Sequence, residues 1–237
     1  MAENIAENRA DALTEHLPQR PTMQHPPLHE DHPDLQALAA EGRVVAYFGY
    51  GSLVNPRTLR TKFLGIRRAE AAGWRRTWLP REAGEEMSLL SVKRDEAAGV
   101  HGVVVYDLVD HLPSVDEREA GYARRIVDLS RLTVETPPLS DIPVYIYEAH
   151  PAAPTAEDRQ SAILQSYLDA VMQGFRMLYG EAGLKRFVEE THGFETWLFA
   201  DRHEPLYPRS VTLEEGEAAL FDRLLALRGL RDITVDD

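Results

Sequence analysis

The 237-residue sequence contains no cysteine. This absence excludes disulfide scaffolds, thiolate metal sites and thiol nucleophiles, so any catalysis must use oxygen or nitrogen groups. Basic residues are also few: 26 Lys and Arg stand against 39 Asp and Glu, which gives a formal net charge of −13. Such a charge argues against a surface that neutralises nucleic-acid phosphates or anionic lipid. No run approaches the roughly 20 apolar residues of a membrane span, so we expect no nucleic-acid or membrane partner.

The N-terminal segment carries charges throughout and lacks the apolar core of a secretory signal, so we expect a cytoplasmic protein. Residues 1–42 are rich in proline, histidine and acidic residues and have no sustained apolar period, which predicts a flexible leader. His25, His29 and His32 are residues of a metal-binding type. Neighbouring prolines exclude the helix that would fix them, and we therefore predict no metal site.

Residues 43–152 have the pattern of a β-rich domain. A continuous apolar run begins at Val44 and ends in Gly-Ser, which predicts a strand buried on both faces. Further strand-like runs follow over residues 66–78, 88–93, 100–108, 122–129 and 142–147. With only short helical stretches between them, they favour a mixed or antiparallel curled sheet over a doubly wound parallel one.

Residues 153–237 are predicted to form a helical C-terminal extension. From Ala156, apolar residues at spacings of three and four, Tyr167 among them, predict a helix with one buried packing stripe. A second helix is expected over 181–191. A third is expected to begin at Thr212, where Thr-Leu-Glu-Glu has the form of a capping box.

The first segment suited to chemistry is 48–53, Phe-Gly-Tyr-Gly-Ser-Leu, in which a strand runs directly into a glycine turn. It lacks the Gly-Lys-Ser/Thr of a phosphate-binding loop, the third glycine of a dinucleotide fingerprint and the glycines that flank a nucleophile-elbow serine. Its backbone N–H groups are suited to a carboxylate or a developing oxyanion. A purely structural turn is the alternative interpretation.

The second segment is 115–127, where three acidic residues occupy four positions before Gly121. A run of charge of this kind is ordinarily a solvated helix face. One carboxylate of such a run can instead lie at the mouth of a strand, so both interpretations stay open from composition alone.

The sequence resembles the γ-glutamylcyclotransferase-like superfamily, which includes the ChaC-type glutathione-specific enzymes. The resemblance rests on three motifs in their order along the chain: Tyr50-Gly-Ser-Leu53, Asp116-x-Arg-Glu119 and Gly121-Tyr122. Two further segments support the resemblance, Gly73-Trp-Arg-Arg76 and Val100-His-Gly-Val-Val104. It covers about residues 44–150. The resemblance implies an α+β fold built on a small mixed β-barrel whose mouth binds the γ-glutamyl group.

The resemblance also implies residue roles. The catalytic glutamate of the family corresponds to Glu119, with Asp116 and Glu117 as rivals for the base. The substrate-binding residues that correspond are Tyr50, Gly51, Ser52, Leu53, Tyr122 and Tyr145. The assignment of Tyr145 is the loosest, because Tyr147 shares its strand face and is equally suited to line the pocket.

The implied reaction is that of a lyase or transferase of glutathione metabolism, which cyclises a γ-glutamyl group to 5-oxoproline and releases an amine. Because the attacking amine is tethered to the substrate, one general acid/base suffices, and we predict no metal, cofactor or covalent nucleophile. Glutathione, other γ-glutamyl dipeptides and γ-glutamylamines all remain open as the small-molecule substrate.

Two other functional classes also stay open. One is a non-catalytic ligand-binding or assembly protein on the same fold, and the other is an accessory partner of an amide-hydrolysing system. The aromatic and basic segment 197–209 is interpreted as a lid, a subunit contact or a plain connection, and a homodimer is left open.

Overall fold

The computed structural model describes residues 30–59, 63–80, 87–119, 121–135, 139, 142–151, 153 and 161–233. Its helices are α1 (Leu35–Ala40), α2 (Leu112–Arg118), α3 (Gln165–Glu190) and α4 (Glu217–Ala226). Its strands are β1 (Val44–Gly49), β2 (Gly65–Pro80), β3 (Met87–Leu108), β4 (Ala123–Ile126), β5 (Leu132–Val134), β6 (Val144–Glu148), β7 (Ala162–Leu164), β8 (Trp197–Phe199) and β9 (Arg231–Ile233). Short 3₁₀ turns over Ser52–Val54 and Pro56–Thr58 follow β1.

One mixed sheet contains all of these strands, with β3 at its centre. Strand β2 runs antiparallel along one side of β3. On the other side, the C-terminal part of β3 pairs with β1 and its N-terminal end pairs with β7. The sheet continues from β1 to β6 and β4, from β7 to β8 and β9, and from β2 to β5. Strands from both sides of the predicted boundary at residues 152 and 153 therefore share one sheet.

The α+β class predicted from the sequence is confirmed, and the predicted mixed sheet is present, although the term barrel describes it only loosely. Among the described residues the sheet is open, and its pairings end at β4, β5 and β9. The reason lies in β3, which is 22 residues long and joins the two separate strands expected over 88–93 and 100–108. A strand of that length has room for two different neighbours on one side, so the sheet branches instead of closing.

Helix α1 lies within the residues predicted as a leader. Leu35 is only 1% exposed and belongs to the apolar cluster that also contains Trp74 and Tyr106. The backbone N–H of His32 donates a hydrogen bond to the carbonyl of Leu64 at 2.7 Å. Residues 1–29, with His25 and His29, lie outside the described residues.

Helix α3 covers one face of the sheet and buries Leu168, Phe175 and Phe187 in a core cluster. It is interrupted at Gly180, where φ is 66° and ψ is −170°, so the two helices predicted here meet at that residue. The predicted start at Ala156 lies outside the described residues. The described helix begins at Gln165, directly after residues 162–164, which pair with β3 and β8 as a strand.

Helix α4 begins at Glu217, five residues after the predicted start. The Glu217 carboxylate accepts hydrogen bonds from the N–H of Glu214 at 2.8 Å and from Gln173 Nε2 at 2.7 Å. These contacts tie α4 to α3. In the described part of the chain, no helix is both long and apolar enough to cross a membrane.

Candidate active site

A cavity of about 60 Å³ lies where β1 runs into the glycine turn, between the end of α2 and the start of α3. It is lined by residues 47–53, Leu90, Glu119, Tyr147 and Tyr167. Its volume is several times the roughly 10–15 Å³ that one water requires on the same measure. Residues that are distant in the chain thus converge on one small space.

Hydrogen bonds to α3 hold the glycine turn in place. Asn55 Nδ2 donates to the carbonyl of Ala170 at 2.9 Å and to Gln173 Oε1 at 3.1 Å. Thr58 Oγ1 donates to the carbonyl of Ser52 at 2.6 Å. The two buried hydrogen bonds of Asn55 fix the turn against the helix, and the bond between Thr58 and Ser52 closes the turn itself.

The N–H groups of Ser52 and Leu53 have no acceptor among the described residues. Both belong to residues that line the cavity. They follow Gly51, whose lack of a side chain lets a ligand approach the backbone closely. The turn therefore offers hydrogen-bond donors that suit an anionic group.

Glu119 reaches the cavity from the end of α2. Its N–H donates to the carbonyl of Val115 at 3.0 Å, and its own carbonyl accepts from the N–H of Tyr122 at 3.1 Å. Gly121, between them, has a φ of 96°. This tight turn leads directly into β4 and holds a half-buried carboxylate at the cavity wall.

Two buried phenols face the region of Glu119. The Tyr50 hydroxyl donates to the carbonyl of Tyr147 at 2.7 Å. Burial, then the charge of Glu119, raises the pKa of Tyr50 well above its ordinary value. Burial is also the main cause that raises the pKa of Tyr167, with a smaller contribution from Glu119. Both phenols are therefore protonated at neutral pH and remain hydrogen-bond donors.

The structure brings five of the predicted site residues together at this cavity: Tyr50, Gly51, Ser52, Leu53 and Glu119. Tyr122 and Tyr145 do not line it. Tyr122 follows Gly121 in the turn after Glu119 and contributes to the raised pKa values of Tyr50 and Tyr167, so it lies nearby.

Tyr145 and Tyr147 take different positions although both lie on β6. The Arg124 guanidinium lies 4.8 Å from the centre of the Tyr145 ring. Tyr147, two residues further along, is the tyrosine of this strand that lines the cavity.

Tyr167 is a cavity residue that the sequence pattern assigns only to packing. It lies in the first turn of α3 and packs edge-on against Trp78 and Tyr207, with ring centres 5.7 Å and 4.9 Å away. Sequence analysis missed this position because the neighbouring apolar residues occur at helical spacing, and a tyrosine fits a buried packing stripe as well as a cavity wall. The available signal was the hydroxyl, because a buried phenol requires a polar partner.

Among the described residues, no group of three or more His, Asp and Glu side chains is arranged to hold a metal ion. The carboxyl group of Glu119 and the phenols of Tyr50 and Tyr167 are titratable groups that line this cavity.

No protein-family model and no curated protein matches the chain. Among solved structures, it is similar to a γ-glutamyl cyclotransferase with 16% identity and a TM-score of 0.46, over 76% of this chain and 99% of that one. An uncharacterized human protein is 14% identical with a TM-score of 0.44, over 77% and 98% of the two chains. A yeast γ-glutamyl cyclotransferase specific to glutathione is 14% identical with a TM-score of 0.36, over 79% and 97%. Two of these three structures carry the name of the family that the sequence motifs resemble, and the activities in those names are theirs.

Proposed function

We propose that the protein is a γ-glutamylcyclotransferase-type enzyme, which cyclises the γ-glutamyl group of a peptide or amine to 5-oxoproline and releases the amine. The observation that carries the proposal is the cavity shared by the glycine turn and Glu119. Two of the motifs that predict this reaction come from distant parts of the sequence, and Tyr50–Leu53 of one and Glu119 of the other line the same space.

The glycine turn would bind the α-carboxylate of the γ-glutamyl group. The N–H groups of Ser52 and Leu53 are donors without an acceptor in the described chain, and Gly51 allows a close approach. Local donors of this kind are needed because the formal net charge of −13 repels an anionic substrate.

The reaction requires one bond to form and one to break. The substrate's α-amino nitrogen attacks its γ-amide carbon, and the five-membered lactam closes. Glu119 accepts the proton that the amine loses and delivers it to the leaving nitrogen as the γ-amide C–N bond breaks. No water is consumed, and the products are 5-oxoproline and a free amine.

Two effects account for the proposed acceleration: folding of the substrate and proton transfer by Glu119. Intramolecular reactions held in attack geometry reach effective molarities of about 10⁵–10⁸ M, so folding the substrate supplies most of the acceleration. Proton transfer by a positioned carboxylate adds a factor of about 10²–10⁴. Buried, protonated Tyr50 and Tyr167 provide neutral walls beside the reacting amide.

The test measures 5-oxoproline by mass spectrometry after incubation with glutathione, a γ-glutamyl dipeptide and a γ-glutamylamine. The wild-type protein should form product from at least one of them, and Glu119→Gln should be slower by about 10²–10⁴-fold because an amide cannot accept the proton. Glu117→Gln, an exposed neighbour on α2, is the matched control and should retain activity.

Absence of product from every substrate would contradict the proposal. Calorimetric binding of 5-oxoproline without turnover would then favour the non-catalytic ligand-binding alternative. Equal rates for wild-type protein and Glu119→Gln would remove Glu119 from the mechanism while leaving the reaction intact.

A further inference from the structure

Asp116 lies three residues before Glu119 and is held by side chains from two neighbouring strands. The Tyr147 hydroxyl donates to Asp116 Oδ1 at 2.6 Å. The Arg124 guanidinium donates to Asp116 Oδ2. Both oxygens of one carboxylate are therefore engaged, one by a residue of β6 and the other by a residue of β4.

The two donors are direct neighbours. Arg124 and Tyr147 are register partners across the antiparallel β4–β6 pair. Both side chains donate to the same carboxylate, and the pairing of β4 with β6 sets the distance between them. This arrangement fixes the end of α2 relative to the sheet edge.

The ion pair between Asp116 and Arg124 spans the turn that carries Glu119. Asp116 precedes this turn and Arg124 follows it, so their ion pair closes the chain around Glu119 and Gly121. Residues three apart on a helix lie on the same side, about 5–6 Å between Cβ atoms. Any displacement of Asp116 is therefore transmitted to the backbone of Glu119 within less than one helical turn.

Tyr147 links the contacts of Asp116 to the cavity. Tyr147 lines the cavity, its hydroxyl donates to Asp116, and its carbonyl accepts the hydrogen bond from Tyr50. We propose that Asp116 is a positioning residue: it fixes Glu119 and the Tyr147 wall relative to each other. The inference rests on the proposed cyclotransferase function.

Stability and catalysis should respond differently to loss of this carboxylate. The side chains of Asp116 and Arg124 are 42% and 35% exposed, and ion pairs at such positions contribute little to the free energy of unfolding. A misplacement of about 1 Å in a catalytic group, in contrast, can cost about 100-fold in rate. A positioning role therefore predicts a catalytic loss with little change in the melting temperature.

The experiment compares steady-state kinetics of the full-length wild type, Asp116→Ala, Asp116→Asn and Glu117→Ala. We expect kcat of Asp116→Ala to fall about 100-fold with KM close to the wild-type value, because the substrate still binds at the glycine turn. Asp116→Asn keeps an acceptor for Tyr147 and should recover much of kcat. Glu117→Ala removes an exposed carboxylate from the same helix and should behave as wild type.

Hydrogen exchange supplies a readout that does not depend on activity. The N–H groups of Glu119 and Tyr122 are hydrogen-bonded within the turn and should exchange faster in Asp116→Ala than in wild type or Glu117→Ala. If Asp116→Ala does not fold, Tyr147→Phe is the second variant. It removes the hydrogen bond from the Tyr147 hydroxyl to Asp116, keeps the ring and should show a smaller increase in exchange and a smaller loss of kcat.

Unchanged kcat in Asp116→Ala would overturn the inference, as would a raised KM at constant kcat or unchanged exchange of the turn. A wild-type protein that forms no 5-oxoproline would contradict the proposed function instead, and the exchange measurement would still decide whether Asp116 holds the turn.

Discussion

The Tyr167 hydroxyl lies 3.1 Å from the position that a Cβ atom would take at Gly51. The first turn of α3 thus packs closely on the glycine turn that follows β1, and a Cβ atom there would require the Tyr167 hydroxyl to shift by a few tenths of an ångström. The contact joins a residue of the β-rich part of the chain to one from the helical C-terminal part. It sets the width of the cavity at the turn.

Gly51→Ala should therefore impair the cavity by displacing Tyr167. A Cβ at position 51 would meet the Tyr167 hydroxyl at 3.1 Å, so the side chain of Tyr167 has to shift to accept it. Overpacking costs about 1–3 kcal/mol, and we expect kcat/KM to fall about tenfold. The double variant Gly51→Ala with Tyr167→Phe removes the hydroxyl and should recover part of the loss. A double variant that is additive in ΔΔG‡ would show that the two positions are not coupled.

Gly121→Ala should strain the turn that carries Glu119. Its φ of 96° is unfavourable for a residue with a Cβ atom, and a Cβ there would meet nothing within 4 Å, so only the backbone is affected. We expect a loss of about 1–3 kcal/mol in the free energy of unfolding together with a reduced kcat.

Gly42→Ala is the control for Gly121→Ala. Gly42 has a φ of 71° and also meets nothing within 4 Å, but it lies between α1 and β1, and it does not line the cavity. Urea denaturation should show a loss of similar size for both variants, and only Gly121→Ala should slow the reaction. Equal kcat values for the two variants would argue against a role for this turn in catalysis.

His101 should make the stability of the protein sensitive to acid. Burial, then the charges of Arg76 and Arg186, lowers the pKa of His101 to about 2. The unfolded chain binds this proton below about pH 6.5. The free energy of unfolding should therefore decrease as pH falls from about 6.5 toward 2, by up to about 1.4 kcal/mol per pH unit, and be unaffected by this group above that range.

Urea denaturation at pH 7.5, 6.0 and 5.0 measures the contribution of His101. His101→Phe fits the aromatic neighbours Phe175 and Tyr179, whose ring centres lie 4.7 Å and 5.0 Å away. The difference between wild type and His101→Phe should shift with pH in favour of the variant as the solution becomes more acidic. A constant difference across the three pH values would contradict the expected protonation.

Glu217→Ala should destabilise the protein and disturb the glycine turn. The Glu217 carboxylate is 2% exposed and pairs with Arg176 at 2.8 Å while it accepts a hydrogen bond from Gln173. The side chain of Arg176 is 34% exposed, so water can solvate it after the substitution, and the main cost is the buried amide of Gln173 left without this acceptor, about 1–3 kcal/mol. Because Gln173 also contacts Asn55, kcat/KM should decrease as well. Glu215→Ala, an exposed neighbour, is the control in both denaturation and kinetics.

Local sequence patterns predicted the parts of the site that follow from short motifs. The strand that begins at Val44 and its glycine turn follow from residue types at fixed spacing, whereas Glu119 is singled out only by the resemblance to the cyclotransferase-like superfamily. The structure brings the turn and Glu119 to one cavity, whereas their roles in cyclisation remain predictions. Tyr122 and Tyr145 also remain predictions, and the structure places both outside the cavity lining.

Features that depend on distant pairing could not be derived from the sequence. The polar stretch near Arg94 resembles a break between two strands. In the structure Arg94 pairs with Trp74 of β2, and the pairing passes through a register shift between Ala72 and Trp74 without ending the strand. This hidden continuity produces the long β3 and the open sheet. Tyr167 was missed for a related reason: helical spacing shows which face of α3 is buried but not what lies opposite that face.

The chain of hydrogen bonds from Asn55 through Gln173 to Glu217 has a practical consequence for any attempt to shorten the protein. Removal of α3 and α4 would delete Tyr167 from the cavity wall and leave the buried amide of Asn55 without its helical partners. A fragment that ended near residue 152 would keep every motif of the resemblance and still lack the helix that supports its glycine turn. An intact cavity wall therefore requires α3, which Glu217 of α4 in turn contacts through Gln173.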